Sequence, residues 1–152
     1  MDIDGTLTDG HLEIMQNGRE IRNLHIHDSY AIEQAVKYLK VGIITGENPK
    51  GMIRKLRSLG IENIMTNERE KGKAIRRMAK DLQLDIATML YIGDDVLDIP
   101  PLKLCGFPCC PKDAYSGVRA VSIYISPYTG GHGCVRDIIE QVLKLKGKWK
   151  EG

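Results

Sequence analysis

A chain of 152 residues can bury one substantial core but is short for two, so it reads as a single domain over residues 1–152. Its 22 basic and 20 acidic residues nearly cancel, which excludes the charge footprint of a nucleic-acid or membrane-surface protein. No run of about 18 apolar residues occurs and the start is acidic, so neither a transmembrane helix nor a signal peptide is expected. Cys105, Cys109, Cys110 and Cys134 form no C-x-x-C pair and read as buried, reduced thiols of a cytoplasmic protein.

In chain order, MDIDGTLTDG places Asp2 and Asp4 one residue apart, just before Gly5 and Thr6. HLEIMQ and REIRNLHIH flank Asn17-Gly18, which predicts a β-hairpin over about 10–27 with both turn residues at positive φ. His25 and His27 alternate on one face of its second strand, which suits a subunit contact or solvent better than a metal. DSYAIEQAVKYLK predicts a helix capped by Asp28 or Ser29, with Ile32, Ala35, Val36 and Leu39 inward. Tyr30 can line a ligand pocket or belong to the cap. VGIIT (41–45) reads as a strand buried on both faces, and Asn48-Pro49 opens a helix through about Leu59.

The alternation continues. IENIM is a strand. Residues 71–82 form a helix with Ile75, Met78, Ala79 and Leu82 inward. TMLYIG is a strand, a short helix lies near Pro100-Pro101, and GFPCC and VSIYI are short strands. A last helix runs from Cys134 to Lys146, after a glycine-rich stretch, so that tail and helix span about 128–148. Strand–helix alternation of this kind predicts an α/β fold with a largely parallel sheet.

In such a sheet, ligands bind beyond the carboxyl ends of the strands. Asp2 and Asp4 precede the first turn, Thr45-Gly46 ends VGIIT, and Gly93-Asp94-Asp95 ends TMLYI, with Asp98 one turn on. Lys73 opens the helix near that edge. Each signal alone is common in surface turns or helix starts; their order is what carries weight. Clustered acids repel one another, and a hard divalent cation with oxygen ligands, Mg2+, resolves the conflict. Thr45 and Lys73 would complete a phosphate cradle, as hydrogen-bond donor and point charge.

Asp2-Ile3-Asp4-Gly5-Thr6, Thr45, Lys73 and Gly93-Asp94-Asp95-Val96-Leu97-Asp98 together resemble the signature of the haloacid dehalogenase superfamily. A finer resemblance covers nearly the whole chain. DGTLTDG, the hairpin in place of a large cap domain, HDSYAI, IITGE and GGHGCVRDIIEQVL are similar to the capless 3-deoxy-D-manno-octulosonate 8-phosphate phosphatases. That branch also holds nonulosonate 9-phosphate phosphatases and C-terminal domains of some acylneuraminate cytidylyltransferases.

The resemblance implies a Rossmann-like α/β fold of the haloacid dehalogenase type, with a mostly parallel sheet flanked by helices and a hairpin flap. It implies a Mg2+-dependent phosphatase acting on a phosphorylated 2-keto-3-deoxy sugar acid in lipopolysaccharide precursor synthesis, as a homotetramer whose hairpins associate. A nonulosonate 9-phosphate substrate and a non-catalytic oligomerisation domain are the alternatives; the complete acidic set argues against the second. Asp2 would be the nucleophile, forming an aspartyl-phosphate. Asp4 would be the general acid and then the base. Mg2+ would be held by Asp2, the Asp4 main-chain carbonyl and Asp94, while Asp95 and Asp98 orient Lys73 or metal-bound water.

Substrate contacts are implied at Gly5, Thr6, Gly46, Glu47, Asp28, Ser29 and His132, the last on the tail Gly130–Gly133. Glu47 is nonulosonate-like, where octulosonate enzymes often have a basic residue; Lys55 lies nearby, with Ser58 where nonulosonate enzymes carry a base. GFPCCPKDA and the tail are octulosonate-like, though His132 stands where the tail often has Arg. The family also carries an apolar strand before the first aspartate. Met1 alone precedes it here, so the sequence is expected to be part of a longer chain.

Overall fold

The structure, a computed structural model, describes residues 1–150. The hairpin forms between β1 (Glu13–Ile14) and β2 (Glu20–Ile21), antiparallel, with Glu13 opposite Ile21. Its turn differs from expectation. Only Gly18 takes positive φ, at 78°, while the Asn17 side chain accepts from the Arg19 amide. This is a three-residue loop with one left-handed position, which needs a single glycine.

The strand expected through His27 stops early, because α1 (Ile26–Ala35) begins there. His25 is the residue before that helix and His27 lies inside it, their rings edge-on at 5.1 Å. Asp28 does not cap its own helix. Fully buried, its carboxylate accepts from the amides of Gly133 (3.2 Å) and Arg136 (2.7 Å), so it caps the C-terminal helix across the fold.

The remaining elements alternate. They are β3 (Gly42–Ile44), α2 (Lys50–Ser58), β4 (Asn63–Met65), α3 (Lys71–Asp81), β5 (Leu90–Ile92), α4 (Ile99–Leu104), β6 (Phe107–Cys110), α5 (Ser116–Val121), β7 (Tyr124–Ile125) and α6 (Cys134–Leu145). The strand expected over VSIYI is cut to its last two residues, because α5 takes its beginning. β3 pairs with β4, β5 with β6, and β6 with β7, all parallel. Residues 1–2 join the two groups: Ile44 N donates to Met1 O and Asp2 N to Ile92 O, each at 3.0 Å.

Successive side chains of a strand face opposite ways, and here that splits the core in two. Ile43, Ile92 and Cys109 pack with α1, α2 and α6. Their neighbours Ile44, Tyr91 and Cys110 pack with α3, α4 and α5. The sheet is therefore sandwiched between two helical layers, which is why its strands read as unbroken apolar runs. All four cysteines are buried and unpaired with one another. Among the described residues no helix is long and apolar enough to cross a membrane.

The Asp28 contact gives a prediction. Asp28→Ala strips two partly buried amides of their acceptor and should destabilise the protein by about 2 kcal/mol, lowering the thermal midpoint by several degrees. Asp28→Asn, which keeps an oxygen acceptor, should lose less. Thermal unfolding of both variants measures the difference.

Candidate active site

The carboxyl ends of the strands bring Asp2, Thr45 and Asp94 to one edge. Asp2 leaves the sheet between β3 and β5, and Thr45 and Asp94 follow just beyond those strands. Asp2 is buried, and its Oδ2 lies 2.8 Å from Lys71 Nζ. The same ammonium lies 2.8 Å from Asp98 Oδ1. Asp98 is fully buried, and four donors use it. Lys71 and the Tyr91 hydroxyl (2.8 Å) reach Oδ1, while the amides of Asp94 (3.1 Å) and Asp95 (3.3 Å) reach Oδ2.

This geometry corrects the choice of lysine. The Lys73 side chain is 71% exposed, and its ammonium pairs with Glu70 at 2.8 Å on the surface. Lys71, whose side chain is 4% exposed, takes the position expected of Lys73. The backbone makes room for it: a Cβ on Gly72 would meet Pro100 Cβ at 2.9 Å, so α3 starts in close contact with α4.

Glycines set the other close approaches. Gly5 has φ 84°, and a Cβ there would lie 2.0 Å from Asp94 Oδ2. Thr6, fully buried, donates to Asp94 Oδ1 at 3.0 Å. Asp4 is held by Arg22 through two hydrogen bonds, Nε to Oδ1 at 2.8 Å and Nη2 to Oδ2 at 3.2 Å. Thr45 is buried, and its hydroxyl accepts from the Glu47 amide at 3.3 Å, leaving its own proton free to donate elsewhere. Gly46 is half-buried and the Glu47 side chain is exposed. Asp95 is exposed and caps the short turn that Asp98 ends, accepting from Val96 N at 2.7 Å.

The tail packs behind the loop that carries the aspartates. Gly131 N donates to Thr6 O at 3.0 Å, and a Cβ on Gly130 would lie 1.8 Å from Gly5 O. His132 is exposed, its ring beside that of His25 and its Nδ1 2.9 Å from Gly130 O. Two expected substrate contacts are not where they were placed. Asp28 spends both carboxylate oxygens on the α6 N-terminus, and the Ser29 hydroxyl donates to His25 O at 3.2 Å within its own helix.

Asp2, Asp94 and Asp98 place carboxylate oxygens within 4.8 Å of one another, with one ammonium, Lys71, among them. Burial, with the charges of Asp2 and Asp98, raises Asp94 to about 7. Burial and Asp98 raise Asp2 to about 6, against the opposing pull of Lys71. Burial alone would lower Lys71, but Asp2 and Asp98 together raise it, so the ammonium stays charged. The excess negative charge fits a divalent cation. Asp98 has no free oxygen for it. Thr6 donates to Asp94 Oδ1 and Lys71 to Asp2 Oδ2, which leaves Asp94 Oδ2 and Asp2 Oδ1 clear of these side-chain donors. The Asp4 main-chain carbonyl accepts no hydrogen bond among the described residues. These three oxygens are hard donors of the kind Mg2+ takes.

Two functional side chains escaped the sequence. Lys71 had a readable signal: it lies four residues before Ile75, on the buried stripe Lys71, Ala74, Ile75, Met78, Ala79. Arg22, which fixes Asp4 from the hairpin, had none.

A profile of the haloacid dehalogenase-like hydrolase family matches residues 59–138. The chain is 29% identical to the 3-deoxy-D-manno-octulosonate 8-phosphate phosphatase KdsC of Escherichia coli (strain K12), over 99% of this chain and 81% of that protein. It resembles the crystal structure of 3-deoxy-D-manno-octulosonate 8-phosphate phosphatase from Moraxella catarrhalis in complex with a magnesium ion, a phosphate ion and a KDO molecule. That match has a TM-score of 0.91 and 34% identity, over 95% of this chain and 83% of that one. The cobalt-bound deoxy-D-mannose-octulosonate 8-phosphate phosphatase (YrbI) of Haemophilus influenzae is similar with a TM-score of 0.92 and 29% identity, over 97% and 86%.

The raised carboxyls make stability depend on pH with a definite sign. A folded-state pKa above the unfolded value adds stability at low pH that is lost as pH rises through the folded pKa. With EDTA present, the contribution of Asp2 and Asp94 should therefore fall between about pH 4 and pH 7 and be gone at pH 8. Asp94→Asn should raise the thermal midpoint at pH 8 in EDTA and remove the gain that added Mg2+ gives the unsubstituted protein. Melting curves across pH, with and without Mg2+, measure both effects.

Proposed function

This chain belongs to the haloacid dehalogenase-like hydrolases and is a phosphoric monoester hydrolase, and from that premise we propose that it hydrolyses 3-deoxy-D-manno-octulosonate 8-phosphate to the free sugar acid and phosphate. The observation that carries the proposal is the state of Asp2: buried, one oxygen held by Lys71, with a carboxylate oxygen within 4.8 Å of those of Asp94 and Asp98. A carboxylate fixed in this way is a positioned nucleophile.

Asp2 attacks phosphorus, the bond from phosphorus to the sugar oxygen breaks, and an aspartyl-phosphate forms. Asp4 protonates the departing oxygen, then takes a proton from the water that attacks the aspartyl-phosphate and frees Asp2. One carboxylate cannot carry phosphate and move protons at once, so both acids are needed. Arg22 holds Asp4 by two bonds and so fixes the direction of its transfer. Lys71 and the Thr45 hydroxyl donate to the phosphoryl oxygens. Asp98 keeps Lys71 aimed at Asp2. Asp2, Asp94 and the Asp4 main-chain carbonyl would hold Mg2+, which would supply charge neutralisation to the transferring phosphoryl group.

The proposal extends to a homotetramer acting in the cytoplasm on lipopolysaccharide precursors. Exposed apolar side chains on the hairpin, Leu12, Ile14 and Met15, support its self-association. A nonulosonate 9-phosphate is the second reading, favoured by the exposed Glu47 two residues after Thr45.

Phosphate release from both sugar phosphates, with Mg2+ or EDTA, tests the proposal. Mg2+-dependent release favouring the octulosonate ester, abolished in a folded Asp2→Asn variant, is expected. Preference for the nonulosonate ester would move the assignment to the second reading. Release from neither, or an active Asp2→Asn variant, would reject the proposal.

A further inference from the structure

A cleft of about 480 Å³ opens between the hairpin turn and the first turns of α2. Arg19 enters it from the hairpin; Lys50 and Arg54, four residues apart on α2, enter from the other wall. None of these three side chains has a hydrogen-bond or ion-pair partner among the described residues. Glu20 is the one carboxylate in the lining, and Arg22 Nη1 already pairs with it at 2.9 Å. The unbalanced charge of the cleft is therefore positive.

Arg22 also fixes where the cleft lies. It lines the cleft while Nε and Nη2 hold Asp4, so the cleft opens beside the proton-transferring carboxylate. Each of its three guanidinium nitrogens already donates within the chain, so Arg19, Lys50 and Arg54 are the lining cations whose charge has no partner among the described residues. A cleft lined by one sign of charge focuses the field on an anion. Two guanidinium groups suit a planar carboxylate, which they can meet with paired hydrogen bonds.

We propose that this cleft receives the carboxylate of the phosphorylated sugar acid, with Arg19, Lys50 and Arg54 as specificity-determining residues. The inference rests on the phosphatase reading above and adds the means of choosing the substrate. A sugar acid phosphorylated at the end away from its carboxylate would be held at both ends. Its phosphate would lie at Asp2 and its carboxylate in the cleft, with the Arg22–Asp4 pair between them. A neutral sugar phosphate would engage only the first of these sites.

The test compares kcat/KM for the octulosonate 8-phosphate with kcat/KM for p-nitrophenyl phosphate, which has no carboxylate. The unsubstituted enzyme, Arg54→Gln, Arg54→Lys and the double variant Arg19→Gln/Arg54→Gln are measured, with melting curves as a check on folding. The ratio of the two constants should fall by about tenfold in Arg54→Gln and further in the double variant, chiefly through KM, with partial recovery in Arg54→Lys. A ratio unchanged in all variants, in an enzyme that turns over the sugar acid, would overturn the subsite alone. If the unsubstituted enzyme cleaved p-nitrophenyl phosphate but not the sugar acid, the substrate reading would fall and the subsite with it.

Discussion

One buried ammonium holds this site together. Lys71 lies between Asp2 and Asp98, 2.8 Å from each, and those three residues come from three parts of the chain. Asp2 ends the segment between β3 and β5, Lys71 opens α3, and Asp98 ends the turn after β5. Isolated buried charges are costly, and removing one partner of such a set leaves the others uncompensated. The helix start and two strand ends are thereby tied at one point. Asp98 extends the tie to the Tyr91 hydroxyl and the amides of Asp94 and Asp95. The loop that carries Asp94 cannot shift without breaking these bonds.

The ammonium does not balance the site. Asp2 and Asp94 remain raised toward neutrality by burial and by acidic neighbours. The site therefore retains an electrostatic demand, and carboxylate oxygens of Asp2 and Asp94 stand together to meet it. The same arrangement that destabilises the ionised apo site suits a cation and a phosphate. Tight packing keeps it open: side chains at Gly5 or Gly93 would strike Asp94 or Asp98, and one at Gly130 would strike the Gly5 carbonyl. These glycines let three backbone segments approach closely enough to fix the aspartates.

Much of this was legible in the sequence, for reasons that differ from residue to residue. The sheet and its helices followed from apolar runs alternating with helical periodicity, because a strand buried on both faces has no polar side to confuse the pattern. Asp2, Asp4, Thr45 and Asp94 were legible as residues beyond strand ends. Lys71 was missed in favour of Lys73, although extending the inward stripe of α3 back from Ile75 leads to Lys71. A lysine on an apolar stripe is normally discounted, and here its burial is compensated by two carboxylates. Asp28 was read as a local cap because capping is usually local; its true partners are more than a hundred positions away. The bonds from Arg22 to Asp4 depend on how the hairpin folds over the site, which no local pattern records. α5 was hidden because SGVRAV is only six residues long and opens on Ser-Gly, too short for helical periodicity to show, and it meets the strand expected over VSIYI only at Val121.

The claim that Lys71, and not Lys73, serves the site is tested most directly by phosphate release from Lys71→Met and Lys73→Met under saturating Mg2+, with circular dichroism confirming the fold of each. The account predicts a loss of about a hundredfold or more in kcat/KM for Lys71→Met, as for removal of a preorganised donor to developing charge, and a change within about twofold for Lys73→Met, as for an exposed surface pair. A folded Lys71→Met enzyme with undiminished turnover, or an equally large loss in Lys73→Met, would contradict it.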